Sequence, residues 1–466
     1  MSSPLPVLLG LDVGTTRVKA VAVGLEGDEL AHVDDATPWV RRGHEIDMDP
    51  EELANVIRGV VAEASDSPAF DGSGVRVLGI GSAGMGEAGV LVDGAGRPLN
   101  RVVGWHDPRG DVDTVEHAIG IDAFQSAVGM PLDAQPSLAK LVWLQREHPE
   151  LERATRFLSV PEWAVVSLGG RPVSELSLAC RTGLLDLAEA APFAGATTLL
   201  GRNLLSEIVI AGTPAGLACH EALPAGVRGA VVTVAGHDHQ VAALAVGAAR
   251  PNALFNSMGS AESLARCVDG GLDPVTTGRL VRRRLTVGWG VVRGRSAVLG
   301  GLRTGLVLED LARLLGRHDP ESRRALGEEA LLVAPGDVPE VVLSPEGGFR
   351  LVPRLLATGV SPAAIWAGAV RELTAASESL LASMAAELGQ AERVVIGGGW
   401  ARNPAVLAEK RRRLGDLTVS RLREAGAVGA ALLAGIAAEI LERPASDPSP
   451  MWPARIHAPR EREASL

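Results

Sequence analysis

Residues 10–19, Gly-Leu-Asp-Val-Gly-Thr-Thr-Arg-Val-Lys, bring an acid, a glycine, two hydroxyls and a lysine together at the end of an apolar run. Gly14, Thr15 and Thr16 make a polar turn whose exposed N–H groups and hydroxyls suit phosphate oxygens, and Lys19 adds positive charge. Mg2+ is held by few carboxylates together with phosphate oxygens, and Asp12 offers such a carboxylate. The same residues also fit a plain hairpin with a solvated aspartate. No GxxxxGK[ST] segment occurs, which argues against a P-loop nucleotide site. A second acid, Asp238 in Gly236-His237-Asp238-His239, follows the apolar run 229–236. A carboxylate there can take a proton from a hydroxyl, or cap the helix that begins near His239. The histidines on either side suggest a metal, but no third nitrogen or sulfur ligand is near in sequence.

These residues need elements to position them. Runs 5–12 and 18–23 read as strand, tight turn, strand, and further strands are expected at 75–81 and 90–93. Asp49 and Pro50 open a helix to residue 64, and 138–145 is helical. Beyond 229–236 a second set of strands follows at 253–257, 285–291 and 295–299. A long helix is expected over 361–388, a strand at 393–396 and an Ala/Gly-rich helix over 424–440. The alternation predicts α/β architecture, with sheets covered by helices on both faces. The expected domains are 1–245 and 246–443, with 444–466 a loose, Pro- and Ser-rich tail.

Composition narrows the function classes. At 466 residues, with 46% hydrophobic and 22% charged, the chain can bury two large cores. Only 3% is aromatic, tyrosine is absent and the net charge is −11, which argues against a nucleic-acid partner. Cys180, Cys219 and Cys267 are odd in number and far apart, so neither a disulfide framework nor a zinc site is expected. The start of the chain lacks a signal-peptide pattern, and no stretch is long and clean enough to span a bilayer. Together these predict a soluble, cytoplasmic protein without a membrane partner.

The layout of the first turn recurs in the second half, where 253–260 runs apolar into Met-Gly-Ser and continues through 261–267. Two such turns facing each other across a cleft is the geometry of nucleotide kinases of the actin and hexokinase type. Further segments keep a common order: 79–93 (GIGSAGMGEAGVLVD), WHDPR at 105–109, Lys140, Trp143, Pro149-Glu150 and 174–186 (SELSLACRTGLLD). They continue with 235–247 (AGHDHQVAALAVG), 257–260 (SMGS), 396–404 (IGGGWARNP) and 424–435 (EAGAVGAALLAG). Over about residues 7–440 the chain resembles the FGGY carbohydrate kinases of the actin-like ATPase superfamily. The resemblance implies two actin-like (ribonuclease H-like) domains, each a mixed sheet flanked by helices, with a deep interdomain cleft. It also implies ATP-dependent phosphorylation of a hydroxyl on a small sugar or polyol, with ATP and Mg2+ as cofactors.

Carried over residue by residue, the resemblance makes Asp238 the catalytic base, with Asp12 and Asp238 at the metal. It puts Gly14, Thr15, Thr16 and Lys19 on the phosphates, and Gly259 with Ser260 on a second phosphate turn, where the family often has threonine in place of Ser260. Gly398 and Gly399 would admit adenine against backbone, and Asn403 would bond the base or ribose; without the family, the glycines are an ordinary strand-to-helix turn. On the sugar side, Glu87 falls where glycerol kinases place an acid and xylulose kinases tend to have histidine. Trp105 would pack the carbon chain or simply the core, while Asp107 and Arg109 would make polar contacts or lock the loop. Gln135 lies near a substrate position, and His239 beside the base would touch substrate. One departure is the run Glu409-Lys410-Arg411-Arg412-Arg413, a pattern of a solvated helix face. The residues leave three rivals standing: an actin-like ATPase doing mechanical work, a non-enzymatic sugar regulator, and a degenerate kinase. Dimers are common among such kinases, so a homodimer is an open expectation.

Overall fold

Period-two alternation in strands covered on both faces decides how the first unit is built. The computed structural model describes residues 4–70, 74–343, 349–351 and 359–443. The expected tail, 444–466, lies outside the described residues. Strand β1 (Leu5–Val13) sends Val7, Leu9, Leu11 and Val13 into one core. It pairs antiparallel with β2 (Arg17–Gly24), and β2 pairs with β3 (Glu29–Ala36). Helix α1 (Pro50–Ser65) packs on this core, and Asp49 Oδ1 caps it by accepting from Glu51 N at 2.8 Å. Strand β4 (Val75–Gly84) lies parallel to β1, beyond which come helices α2 (Ser137–Glu147) and α3 (Val160–Ser167). Strands β5 (Pro214–Leu217) and β6 (Val231–His237) complete a six-stranded mixed sheet in the order β5-β6-β4-β1-β2-β3. Helix α4 (Asp238–Ala245) follows β6 directly.

The second unit repeats that plan. Strands β7 (Ala253–Met258), β8 (Glu262–Asp269), β9 (Arg295–Leu302), β10 (Arg393–Gly397) and β11 (Leu417–Val419) run in the order β9-β8-β7-β10-β11. As in the first unit, the first strand is antiparallel to the second and parallel to the fourth. Helices α5 (Thr304–Leu314), α6 (Pro320–Leu331), α7 (Pro362–Leu388) and α8 (Pro404–Leu414) share a core built on Leu308, Leu326, Trp366 and Val406.

Chain order and compact units do not coincide. Of the described residues, the first unit holds those up to Gly247, Asp269–Ala297 and Glu424–Arg443; the second holds those within Ala248–Val268 and Val298–Arg423. A single boundary near 245 therefore misses two returns of the chain. The second return carries α9 (Ala425–Ala437), which is buried at every position except Ala425 and Ile436. It packs on the face of β1 and β4 opposite α1, and an apolar helix of this kind needs such a cover. Among the described residues no helix is long and apolar enough to cross a membrane.

Candidate active site

Three parallel neighbours, β1, β4 and β6, end together, and the expected acids sit at those ends. Val13 and His237 both register with Gly84, so Asp12, Glu87 and Asp238 share the carboxyl edge of one sheet. Ligands of open α/β sheets bind at that edge. Asp12 pairs across the hairpin with Lys19. Among the described residues, Asp12 Oδ1 is buried with no hydrogen-bond partner. Burial first, and then the charge of Asp238, push its carboxyl up to about 7 against the pull of Lys19. Lys19 is not left free beside the turn: its Nζ donates to Glu424 Oε2 at 2.6 Å, at the start of α9.

The Gly14–Thr16 turn is braced from behind. Thr37 Oγ1 donates to Gly14 O at 2.8 Å, and Trp39 Nε1 donates to Thr15 O at 2.7 Å. Trp105 Nε1 donates to Thr15 Oγ1 at 2.9 Å, so this tryptophan packs on the core and also orients the turn. Thr16 is exposed. Of the two uses expected for Asp107 and Arg109, the geometry is that of a loop lock. Asp107 accepts from Ile46 N at 2.6 Å and from Arg109 N at 2.8 Å, while Arg109 Nη2 reaches Asp107 Oδ2 at 2.7 Å. Burial acts upward on Asp107, but these donors hold it below the usual carboxylate range.

Asp238 opens α4 at a bend that only glycine allows. Gly236 has φ +114°, and a Cβ there would come within 2.6 Å of Ser177 Oγ and 2.7 Å of Val291 Cγ1. Ser177 Oγ accepts from His237 N at 3.0 Å and donates to Glu175 Oε2 at 2.5 Å, which fixes the strand end from behind. Asp238 Oδ1 accepts from His239 N at 2.5 Å. Burial acts upward on Asp238, but His239 and His237 outweigh it and leave its carboxyl below 3.8. His237 is buried and pulled down to about 4, so it is neutral at neutral pH. His239 remains partly exposed, with Nε2 3.9 Å from Asp238 Oδ1.

The sugar-side candidates meet around Glu87. Its Oε1 accepts from Gln135 Nε2 at 3.0 Å, from Arg181 Nε at 2.9 Å and from Arg181 Nη2. Arg181 Nη1 donates to Thr286 Oγ1 at 2.6 Å. Gly86 is small because Arg181 fills its side-chain space: a Cβ there would come within 2.7 Å of Arg181 Cγ. Burial acts upward on Glu87, and Arg181 holds it ionised. Lys140 Nζ donates to the carbonyls of Ala134, Trp105 and Gln135, and burial brings its ammonium down to about 8. Arg181 was given no role from sequence, although a buried acid demands a buried cation. That demand is the signal that could have found it.

The N-terminal domain signature of the FGGY family of carbohydrate kinases matches residues 7–245, just over half of the chain. The chain belongs to the FGGY family. L-fuculokinase of Escherichia coli K12 is 28% identical over 268 residues, 54% of each chain. The chain thus spans about half the length of the L-fuculokinases it matches. Glycerol kinase of Aromatoleum aromaticum is 27% identical over 459 residues, covering 92% of this chain and 89% of the relative. Among solved structures, xylulose kinase from Rhodospirillum rubrum superposes with a TM-score of 0.77 at 23% identity, covering 93% of this chain and 92% of that one. Plasmodium falciparum glycerol kinase with ADP gives 0.80 at 16% identity, covering 95% and 91%. These likenesses establish the family's two-domain actin-like fold, in which each unit is a mixed sheet flanked by helices.

In the second unit, the family's nucleotide-side candidates lie at the ends of β7 and β10. Gly259 and Ser260 form an exposed turn, and a Cβ on Gly259 would meet nothing nearer than 3.8 Å. Gly398 has φ +94°, and a Cβ there would come within 2.5 Å of Met258 O, so its packing against the end of β7 already requires glycine. Gly399 faces open space. The Asn403 side chain is committed differently from its expected contact with base or ribose. It caps α8 by accepting from Val406 N at 3.3 Å and donates to Arg323 O at 2.9 Å. The expectation of a solvated charge run fails at one position: Lys410 is buried and bonded to Glu262. Arg412 is exposed and pairs with Glu409 on the outer face of the helix.

Proposed function

We propose that this chain transfers the γ-phosphoryl group of ATP to a hydroxyl of a small ketose or polyol, with Asp238 as the base. The observation that carries the proposal is Asp238 itself: an ionised carboxylate at the carboxyl edge of the sheet, beside the unpartnered Oδ1 of Asp12. The acceptor hydroxyl gives its proton to Asp238 as its oxygen bonds to the γ-phosphorus, and the bond from that phosphorus to the ADP oxygen breaks. A base held below 3.8 is weak, but phosphoryl transfer is loose and asks the base chiefly to orient the hydroxyl.

Asp12 and Asp238 fit a divalent cation, since a buried carboxylate oxygen without a partner is the donor a hard ion takes. Bound Mg2+ would neutralise charge on the phosphates. Gly14, Thr15 and Thr16 supply N–H and hydroxyl donors to the phosphates, and Lys19 adds its charge. In the second unit Gly259, Ser260, Gly398 and Gly399 are further nucleotide contacts, with Asn403 anchoring their loop. Glu87, fixed by Arg181 and Gln135, accepts substrate hydroxyls, which favours a polyol or short ketose over xylulose. Trp105 packs the carbon chain of the substrate, His239 contacts the substrate beside the base, and Asp107 with Arg109 lock their own loop. The family assignment and the cysteine pattern support a cytoplasmic enzyme.

A coupled ADP-release assay over ketoses, polyols and sugar acids tests the reading. One acceptor class should stimulate turnover, and Asp238→Asn should lower kcat by about 10²–10⁴. Equal ADP release by the Asn variant, or release independent of any acceptor, would end the proposal.

A further inference from the structure

The second unit contains a buried charged cluster that the transfer chemistry does not use. Glu262, the first residue of β8, is fully buried. Its carboxylate accepts from Lys410 Nζ of α8, from Thr304 Oγ1 of α5 at 2.7 Å and from Asn256 Nδ2 of β7 at 2.9 Å. Ser377 Oγ of α7 lies 2.9 and 3.0 Å from its two oxygens, and Lys410 Nζ donates to Ser377 Oγ at 2.7 Å. Burial lowers the Lys410 ammonium, and Glu262 opposes that fall. Buried ion pairs contribute little net stability compared with apolar packing; their best-attested use is to fix a register.

The register at stake is local. Glu262 stands two residues after Ser260 and pairs across the hairpin with Met258, so it closes the turn 258–262. The same turn is braced at three other points. Leu306 N donates to Ser260 O at 2.9 Å. Gly305 lies so close that a Cβ would come within 1.9 Å of Gly259 O. Gly398 meets Met258 closely too, where a Cβ would come within 2.5 Å of Met258 O. Gly398 and Lys410 belong to one continuous segment, 397–414, which runs from the end of β10 through α8. That segment therefore grips the turn at both of its ends.

We propose that the Glu262–Lys410 pair is a positioning device for nucleotide binding, locking the Gly259–Ser260 turn to the Gly398–Gly399 loop in one register. The proposal rests on the reading of these two loops as nucleotide contacts. Neither Glu262 nor Lys410 touches the ligand. The pair acts through the backbone of the turn.

The test is calorimetric titration of the full chain with Mg-ADP, alongside thermal melts. Lys410→Met should weaken Mg-ADP binding roughly tenfold, within the range of couplings carried through packed networks. Val370→Ala, a core truncation on α7, should lower the melting temperature while leaving the dissociation constant within twofold. If Lys410→Met does not fold, Glu262→Gln/Lys410→Met removes both charges together and should still bind about tenfold more weakly. Wild-type affinity in a folded variant lacking the pair overturns the proposal. So does an affinity loss in Val370→Ala that matches its loss of stability. Failure of the unaltered chain to bind Mg-ADP would sink the nucleotide reading itself, and is seen separately because it needs no variant.

Discussion

Asp12 is squeezed between opposing charges, and its proton has consequences at physiological pH. Burial and Asp238 raise its carboxyl to about 7, so below that pH a cation must displace a proton, while above it the carboxylate is already bare. The apparent affinity for Mg2+ should therefore rise about tenfold between pH 6 and pH 8 and level off beyond. Titrating Mg2+ into the chain at fixed ADP over that range checks it. A flat profile would mean that Asp12 is not the ligand, and Asp12→Asn should abolish the dependence. The placement of Asp12 and Asp238 at strand ends was legible in the sequence because each stands at or just past an apolar run. Arg181 was not, because its partner Glu87 is 94 positions away and only the fold brings them together. Lys410 was misread for the same reason: charge runs are solvated by default, and Glu262, 148 positions earlier, supplies the exception.

At the scale of elements, the approach of α9 to the first sheet depends on glycines facing alanines. Gly10 opposes Ala427, Gly81 opposes Ala430 and Gly79 opposes Ala434, and a Cβ would come within 1.7, 2.0 and 2.8 Å of the respective carbonyl oxygens. The helix sits directly on bare backbone, with no side-chain layer between. Gly81→Ala should therefore destabilise the chain by about 1–3 kcal/mol, since backbone cannot yield as a side chain can. Gly59 in α1 is the contrasting case. It is exposed, a Cβ there meets nothing within 4 Å, and Gly59→Ala should stabilise by about 0.5–1 kcal/mol. Melts of the two variants should shift in opposite directions. A neutral Gly81→Ala would show that the helix can stand off from the sheet. The Ala/Gly-rich helix itself was readable from its composition, and so were the hairpin, α1 and α7. The need for glycine at 10, 79 and 81 was not, because it arises from a helix more than 300 residues later in the chain.

At the scale of the molecule, the first unit is not finished when its contiguous stretch ends. A sequence reading naturally assigns continuous stretches, and the change of unit at Gly247 falls close to the boundary placed at 245. What it could not supply is the return of residues 269–297 and of α9, since neither carries a local mark of which unit it will join. The return makes a physical demand. Without α9, one face of β1, β4 and β6 lies open, with Leu8, Gly10, Gly79 and Gly81 exposed on parallel strands that are stable only when both faces are covered. Each large apolar side chain that α9 buries, such as Leu432 or Leu433, is worth about 1.5–3 kcal/mol, which together rivals the net stability of a domain. A chain ended at Arg423 should therefore lack a cooperative melt of its first unit and collect in the insoluble fraction. Co-expressing residues 424–443 as a separate peptide should recover soluble protein with a cooperative transition. A truncated chain that melts cooperatively by itself would show that the sheet needs no cover from the end of the chain, and the first unit would then have to be redrawn without α9.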